Sequence, residues 1–103
     1  MPKRVGKVLC NRDANQAEIV EALEKVGASV IDAAGVGRGF PDLVVGFRGI
    51  TYLIEIKSDS GQFTIPQCEW FALWNGKADV ARTSEEALRI IGLEMWQLED
   101  EIE

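Results

Sequence analysis

The chain has 103 residues, of which 47% are hydrophobic and 27% charged, with no histidine, two cysteines and a formal net charge of −6. That size and balance describe one soluble globular domain around a single core. The lack of histidine excludes Ser-His-Asp triads, histidine-ligated zinc and histidine-based nucleases, which leaves carboxylates, lysine, water and a hard metal ion to carry any chemistry.

No apolar run approaches the roughly 20 residues of a membrane-spanning helix. The start, Met1-Pro2-Lys3-Arg4, lacks the apolar segment of a signal peptide, so a cytoplasmic location is expected, in a bacterial cell or a phage-infected host. Cys10 and Cys68 are far apart and have no other metal-type ligand nearby, which makes two reduced thiols the expectation. All eleven Lys and Arg precede residue 93, whereas Glu94, Glu99, Asp100, Glu101 and Glu103 follow it. Residues 1–92 therefore hold twelve acids against eleven bases, and a surface whose acids hold metal ions could still face a polyanion.

In chain order, residues 1–13 read as a basic arm carrying Lys3, Arg4, Lys7 and Arg12. From Ala14 to Val26, Ile19, Val20, Leu23 and Val26 recur at helical spacing, with Asp13 or Asn15 as the N-cap and Gly27 at the C-terminal stop. A first strand is predicted over Ala28–Ala34 and a second over Pro41–Val45, with the glycine-rich loop Gly35–Gly39 between them. Gly46-Phe47-Arg48-Gly49 reads as a hairpin turn into a third strand, Ile50–Lys57.

Thr64 and Gln67 have capping-box spacing and open a second helix that runs to about Trp74. A short strand over Ala78–Arg82 follows, and Thr83-Ser84-Glu85-Glu86 is a second capping box for a helix ending near Ile91. The domain is thus expected over 14–92, with an acidic tail over 93–103. The αβββαβ order and the three-strand meander predict an α/β fold, a mixed sheet flanked by helices.

Side chains alternate along a strand, so Glu55 and Lys57 share one face with Thr51 and Leu53, opposite Tyr52, Ile54 and Ile56. Asp42, near the start of the neighbouring strand, can point into the same volume. Two carboxylates and a main-chain carbonyl such as that of Ile56 are hard oxygen donors suited to Mg²⁺ or Mn²⁺. Such a metal would polarise water and a phosphodiester, and Lys57 could hold or deprotonate the water or offset developing charge. A Glu–Lys ion pair exposed at a strand end would show the same spacing.

Pro41-Asp42 followed by Glu55-Ile56-Lys57, after a helix that carries a glutamate, resembles the PD-(D/E)XK nucleases. The likeness sharpens towards the VRR-Nuc family and the archaeal Holliday junction resolvases. It rests on Gln16-Ala17-Glu18-Ile19-Val20, Gly39-Phe40-Pro41-Asp42-Leu43-Val44, Thr51-Tyr52-Leu53-Ile54-Glu55-Ile56-Lys57, Gln67, Trp70 and Trp74-Asn75-Gly76. The resemblance implies a restriction-endonuclease-like core and a metal-dependent endonuclease acting on structured DNA such as four-way junctions or flaps. It also implies a homodimer and, by analogy, a phage or mobile-element setting.

Within the site, the resemblance assigns Asp42, Glu55 and Lys57 the catalytic roles. Glu18 would be the helix acid completing the metal site, with Glu21 as its competitor. Gln67 would approach the water or the DNA, or serve only as the partner of Thr64. A non-catalytic DNA-binding or assembly module that keeps the nuclease core is the other reading.

Gly35, Gly37 and Gly39 lead into a strand rather than a helix, which argues against a dinucleotide loop. Arg38 in that loop and Arg48 at the hairpin tip are candidates for phosphate contact, or ordinary loop arginines. Trp70, Phe71 and Trp74 lie at helical spacing and are expected to pack in the core, with a subunit interface or base stacking as the alternatives.

Overall fold

The computed structural model of the chain describes residues 11–94, and the side chains from residue 14 onward. Most of the basic arm, Cys10, and the acidic tail beyond Glu94 lie outside the described residues. The elements are α1 (Asn11–Lys25), β1 (Ser29–Asp32), β2 (Leu43–Phe47), β3 (Ile50–Ile56), α2 (Ile65–Leu73), β4 (Asp79–Ala81) and α3 (Ser84–Ile90). This is the expected order. Among the described residues no helix is long and apolar enough to cross a membrane.

One mixed sheet runs β1-β2-β3-β4, with β1, β2 and β3 antiparallel and β4 parallel to β3. One face of it carries the core. Leu43, Val45 and Phe47 of β2 and Tyr52, Ile54 and Ile56 of β3 meet Ile19 and Leu23 of α1, together with Ala87, Leu88, Ile91 and Leu93 in and after α3. β2 shows the alternation expected of a half-covered strand. β3 starts exposed but ends with Ile54, Glu55 and Ile56 all buried, so both of its faces are covered at that end.

Several boundaries differ from the sequence reading for identifiable reasons. Helix α1 already includes Asn11, so Asp13 and Asn15 lie inside it rather than at its N-cap. Its C-terminus closes as expected: Gly27 takes φ +100, with Gly27 N–H bonding Glu24 O and Ala28 N–H bonding Leu23 O, both at 3.0 Å. Strand β2 is shifted two residues along, because Pro41 has no N–H to give a ladder and Phe47 reaches the core. The hairpin turn is then only Arg48-Gly49, both with positive φ.

Helix α2 is the larger departure. The expectation that Trp70, Phe71 and Trp74 pack in the core is not met, since α2 buries none of its residues and leaves Ile65 and Leu73 widely exposed. The reason is its position: Gln67 reaches Glu55 and Lys57, which lie on the face opposite Ile54 and Ile56. The aromatic residues instead contact one another and the loop before β2, with Phe40 edge-on to Trp70 at 5.5 Å and Trp70 stacked on Trp74 at 4.7 Å.

That loop is fitted closely to α2. Gly39 (φ +81) approaches the first turn so tightly that a Cβ there would stand 2.3 Å from Pro66 O, whereas a Cβ on Gly37 (φ +82) would meet nothing within 4 Å. Both positions strain an L-residue, but only Gly39 also faces immovable backbone. In urea unfolding, Gly37→Ala should lower stability by about 1 kcal/mol and Gly39→Ala by about 3 kcal/mol. Equal losses would show that the loop does not rest on α2 as described.

Candidate active site

The antiparallel register sets Leu43 opposite Ile54, so one step further Asp42 faces Glu55 across the β2–β3 ladder. Asp42 is 7% exposed, Glu55 1% and Lys57 6%. Three charges are thus taken out of water together, which is tolerated only with partners. Asp42 Oδ2 accepts the Ile56 N–H at 3.0 Å, and Asp42 O accepts the Ala33 N–H at 2.7 Å, so this residue is held from both sides.

Gln67 joins the other two charges. Its Nε2 donates to Glu55 Oε2 at 2.8 Å, while its Oε1 accepts from Lys57 Nζ at 2.6 Å and from Thr64 N at 2.9 Å. The amide that partners Thr64 in the capping box thus also bridges Glu55 and Lys57. The capping box sets the third helical position of α2, and that position presents the side chain to the site. Lys57 Nζ also donates to Gln62 O at 2.9 Å, stands 3.6 Å from Glu55 Oε2 and lies 5.2 Å from the centre of the Phe63 ring.

The second carboxylate oxygen of Glu55 is different. Oε1 is buried without a hydrogen-bond partner. Burial first, and then the Asp42 carboxylate beside it, push Glu55 up from 4.5 to about 7, against the opposing pull of Lys57. An unsatisfied acceptor beside a second carboxylate is the donor set that a hard divalent cation takes, and the Ile56 carbonyl offers a third oxygen. The residues present fit Mg²⁺ or Mn²⁺. Among the described residues no three acids or thiols gather to hold an ion, so solvent would have to complete the coordination.

Glu18 does not join Asp42 and Glu55. With Ile19 and Leu23 turned to the core, the 100° step per residue carries Glu18 aside, into a hollow lined by Asn15, Ser58, Asp59, Ser60 and Arg82. Glu21 shares a second hollow with Glu18, lined also by Lys25 and Ser84, and lines a third with Val30 and Asp32. Arg38, at φ 59, lines a groove with Pro66, Trp70 and Trp74, next to the loop that leads to Asp42. Arg48 lies with its guanidinium over Phe47 at the far end of the hairpin, roughly 20 Å along the strand from Asp42.

Asn15, which the sequence offers only as a cap, has a different role. From inside α1 its Nδ2 donates to both Lys57 O and Arg82 O at 3.0 Å, tying the ends of β3 and β4 to the helix. The available signal was an amide among apolar positions of a helix, where it adds nothing to helix propensity.

No family model matches the chain, and no curated protein matches it. A solved structure described as a VRR_NUC domain is similar to it, with a TM-score of 0.64 and 22% sequence identity over 78% of this chain and 92% of that one. At that identity the likeness shows a shared fold.

The raised value for Glu55 gives stability a pH dependence of defined sign. Between about 4.5 and about 7 the folded protein keeps a proton that the unfolded chain has released, so this group's contribution is complete at the low end and is lost as pH rises through the window. In EDTA, the stability of Glu55→Gln relative to wild type should therefore increase from pH 4.5 to pH 8 by on the order of 3 kcal/mol. Paired urea melts at several pH values measure this. A constant difference would mean that Glu55 ionises in the fold as it does in water.

Proposed function

We propose that the chain is a Mg²⁺- or Mn²⁺-dependent endodeoxyribonuclease of the VRR-Nuc type, acting on branched or structured DNA such as four-way junctions or flaps. The observation that carries the reading is the buried Asp42–Glu55 pair, with one orphaned oxygen, set beside a buried Lys57. The Pro41-Asp42 and Glu55-Ile56-Lys57 motif and the fold shared with a VRR_NUC domain support it from two further directions.

In this reading Asp42, Glu55 and the Ile56 carbonyl hold the ion. When bound, the metal supplies concentrated positive charge for the phosphodiester oxygens and the attacking water. Gln67, bonded to Glu55 Oε2 and Lys57 Nζ, would fix the Glu55 carboxylate and orient the Lys57 ammonium. Lys57 already donates to Gln62 O and Gln67 Oε1 and lies near Glu55, an arrangement suited to a fixed cation that offsets charge developing on the phosphate. Arg38, in the loop leading to Asp42, would be the residue to meet a neighbouring phosphate.

The exposed apolar residues Ile65 and Leu73 of α2 and Trp74 at its C-cap support a homodimer, because large apolar side chains grouped on one element favour a contact surface. Two sites related by a two-fold axis would suit paired cuts in a symmetric junction.

Labelled linear, flap and four-way DNA incubated with Mg²⁺, Mn²⁺ or EDTA test the activity. Cleavage is expected with either metal and not with EDTA. Asp42→Ala, Glu55→Ala and Lys57→Ala should each reduce it by about 100-fold or more, whereas Glu18→Ala should retain it. Binding without cutting under any metal would make the chain a non-catalytic DNA-binding module. Sedimentation tests the assembly separately: wild type should run as a dimer and Leu73→Glu as a monomer, and a monomeric wild type would remove the two-fold arrangement from the proposal.

A further inference from the structure

Ser58-Asp59-Ser60-Gly61-Gln62, the segment leaving β3, is small, polar and outside any helix or strand. A stretch of that composition has little of its own to order it. Yet it forms the wall of the Lys57 pocket. Gly61 stands close to the Lys57 stem, Gln62 O takes the ammonium at 2.9 Å, and Phe63 sets its ring beside it.

One side chain gathers this segment from below. The Nη1 of Arg82, just past β4, donates to Ser58 O, to Asp59 O at 3.3 Å and to Gly61 O at 3.2 Å. Within the segment Gly61 N–H bonds Ser58 O at 3.1 Å, which keeps the turned carbonyls close together. Arg82 is itself fixed at both backbone groups. Its N–H donates to Glu86 Oε1 at 2.6 Å, and its carbonyl accepts from Asn15 Nδ2, the amide that also holds Lys57 O.

These contacts close a ring. From the Lys57 backbone it passes through Asn15 to Arg82, then through the carbonyls of residues 58–61 to Gln62, and returns to the Lys57 ammonium. We infer that Arg82 is a positioning residue for Lys57: by holding the carbonyls of Ser58, Asp59 and Gly61 it keeps Gln62 O against the ammonium and the ammonium beside Glu55. The inference rests on the nuclease reading for its catalytic consequence, but not for its structural one. The sequence marks Arg82 only as the residue ending a short strand.

The test compares wild type, Arg82→Ala, Arg82→Lys and the control Arg89→Ala, which removes an exposed cation from α3. Each protein is read by thermal melting, by amine labelling of Lys57 against exposed Lys77 in mass spectrometry, and by cleavage kinetics. Arg82→Ala should raise Lys57 labelling at least about fivefold. It should lower kcat about 10- to 100-fold while KM stays within about threefold, since DNA contacts are not removed. Arg82→Lys keeps the charge but lacks the planar fork of donors, and should fall between. It carries the measurement if Arg82→Ala melts below the assay temperature. Arg89→Ala should match wild type throughout.

Wild-type labelling of Lys57 in both Arg82 variants overturns the inference, as does a loss confined to KM, which would make Arg82 a DNA contact. If wild type cuts no DNA, the nuclease reading fails, and the labelling ratio alone decides whether Arg82 holds Lys57 in place.

Discussion

A glutamate facing an aspartate across a strand pair, with almost no water at either, is the constraint on which the rest of the structure depends. Burial penalises the charged form of Glu55 first, the neighbouring Asp42 carboxylate adds to that, and Glu55 is accordingly pushed up to about 7. An apolar pair at these positions would pack without that penalty. The groups around them respond to the charge: the Ile56 N–H takes one Asp42 oxygen, the Gln67 amide and the Lys57 ammonium take one Glu55 oxygen, and Glu55 Oε1 is left over. The site is locally destabilising, and that remaining oxygen is the feature on which the proposed metal centre rests.

This explains why the two faces of the sheet differ. On one face α1 and α3 close an apolar core that needs nothing from the charged residues. On the other, α2 buries no side chain, and at nine residues it is too short to persist alone in water. It is anchored at its first turn, where Thr64 caps it, Gly39 lies against Pro66, and Gln67 bridges Glu55 and Lys57. The interactions that hold the helix are the same ones that order the site, so loss of either should loosen the other.

The fold was legible in the sequence because its signals are local: helical apolar spacing in α1, alternation in β2, and a threonine three residues before Gln67. Glu55 and Lys57 were legible for the same reason, since strand alternation sets them on one face, and the short hairpin between β2 and β3 brings Asp42 opposite Glu55. What sequence could not show depended on helical phase and on non-local contacts. Glu18 satisfied a pattern, but Ile19 and Leu23 fix the rotation of α1 and turn it to another hollow. Trp70 and Trp74 had core-like spacing, yet the helix bearing them sits over the charged face. The second capping box formed only in part: Thr83 accepts from Glu86 N, while the Glu86 side chain goes to Arg82 N instead of Thr83. Asn15 and Arg82 act through main-chain carbonyls distant in sequence, a partner type that leaves no pattern of its own.

The same distinction bears on the match to a VRR_NUC domain at 22% identity when no family model matches the sequence. A core built from Ile, Leu, Val and Ala tolerates extensive exchange so long as volume and alternation are kept, so the sheet and its covering helices can persist after most identities are gone. The charged site has no such freedom, because a shortened carboxylate or a displaced ammonium changes which atoms meet. It is compact, however, and Asp42, Glu55, Lys57 and Gln67 form too small a part of the chain to dominate a comparison made along its whole length. Fold likeness and site chemistry are therefore separate lines of support here. The first speaks for a scaffold that many functions could share, and the second is the chemistry on which the proposed function rests, a buried carboxylate pair in which Glu55 Oε1 has no hydrogen-bond partner.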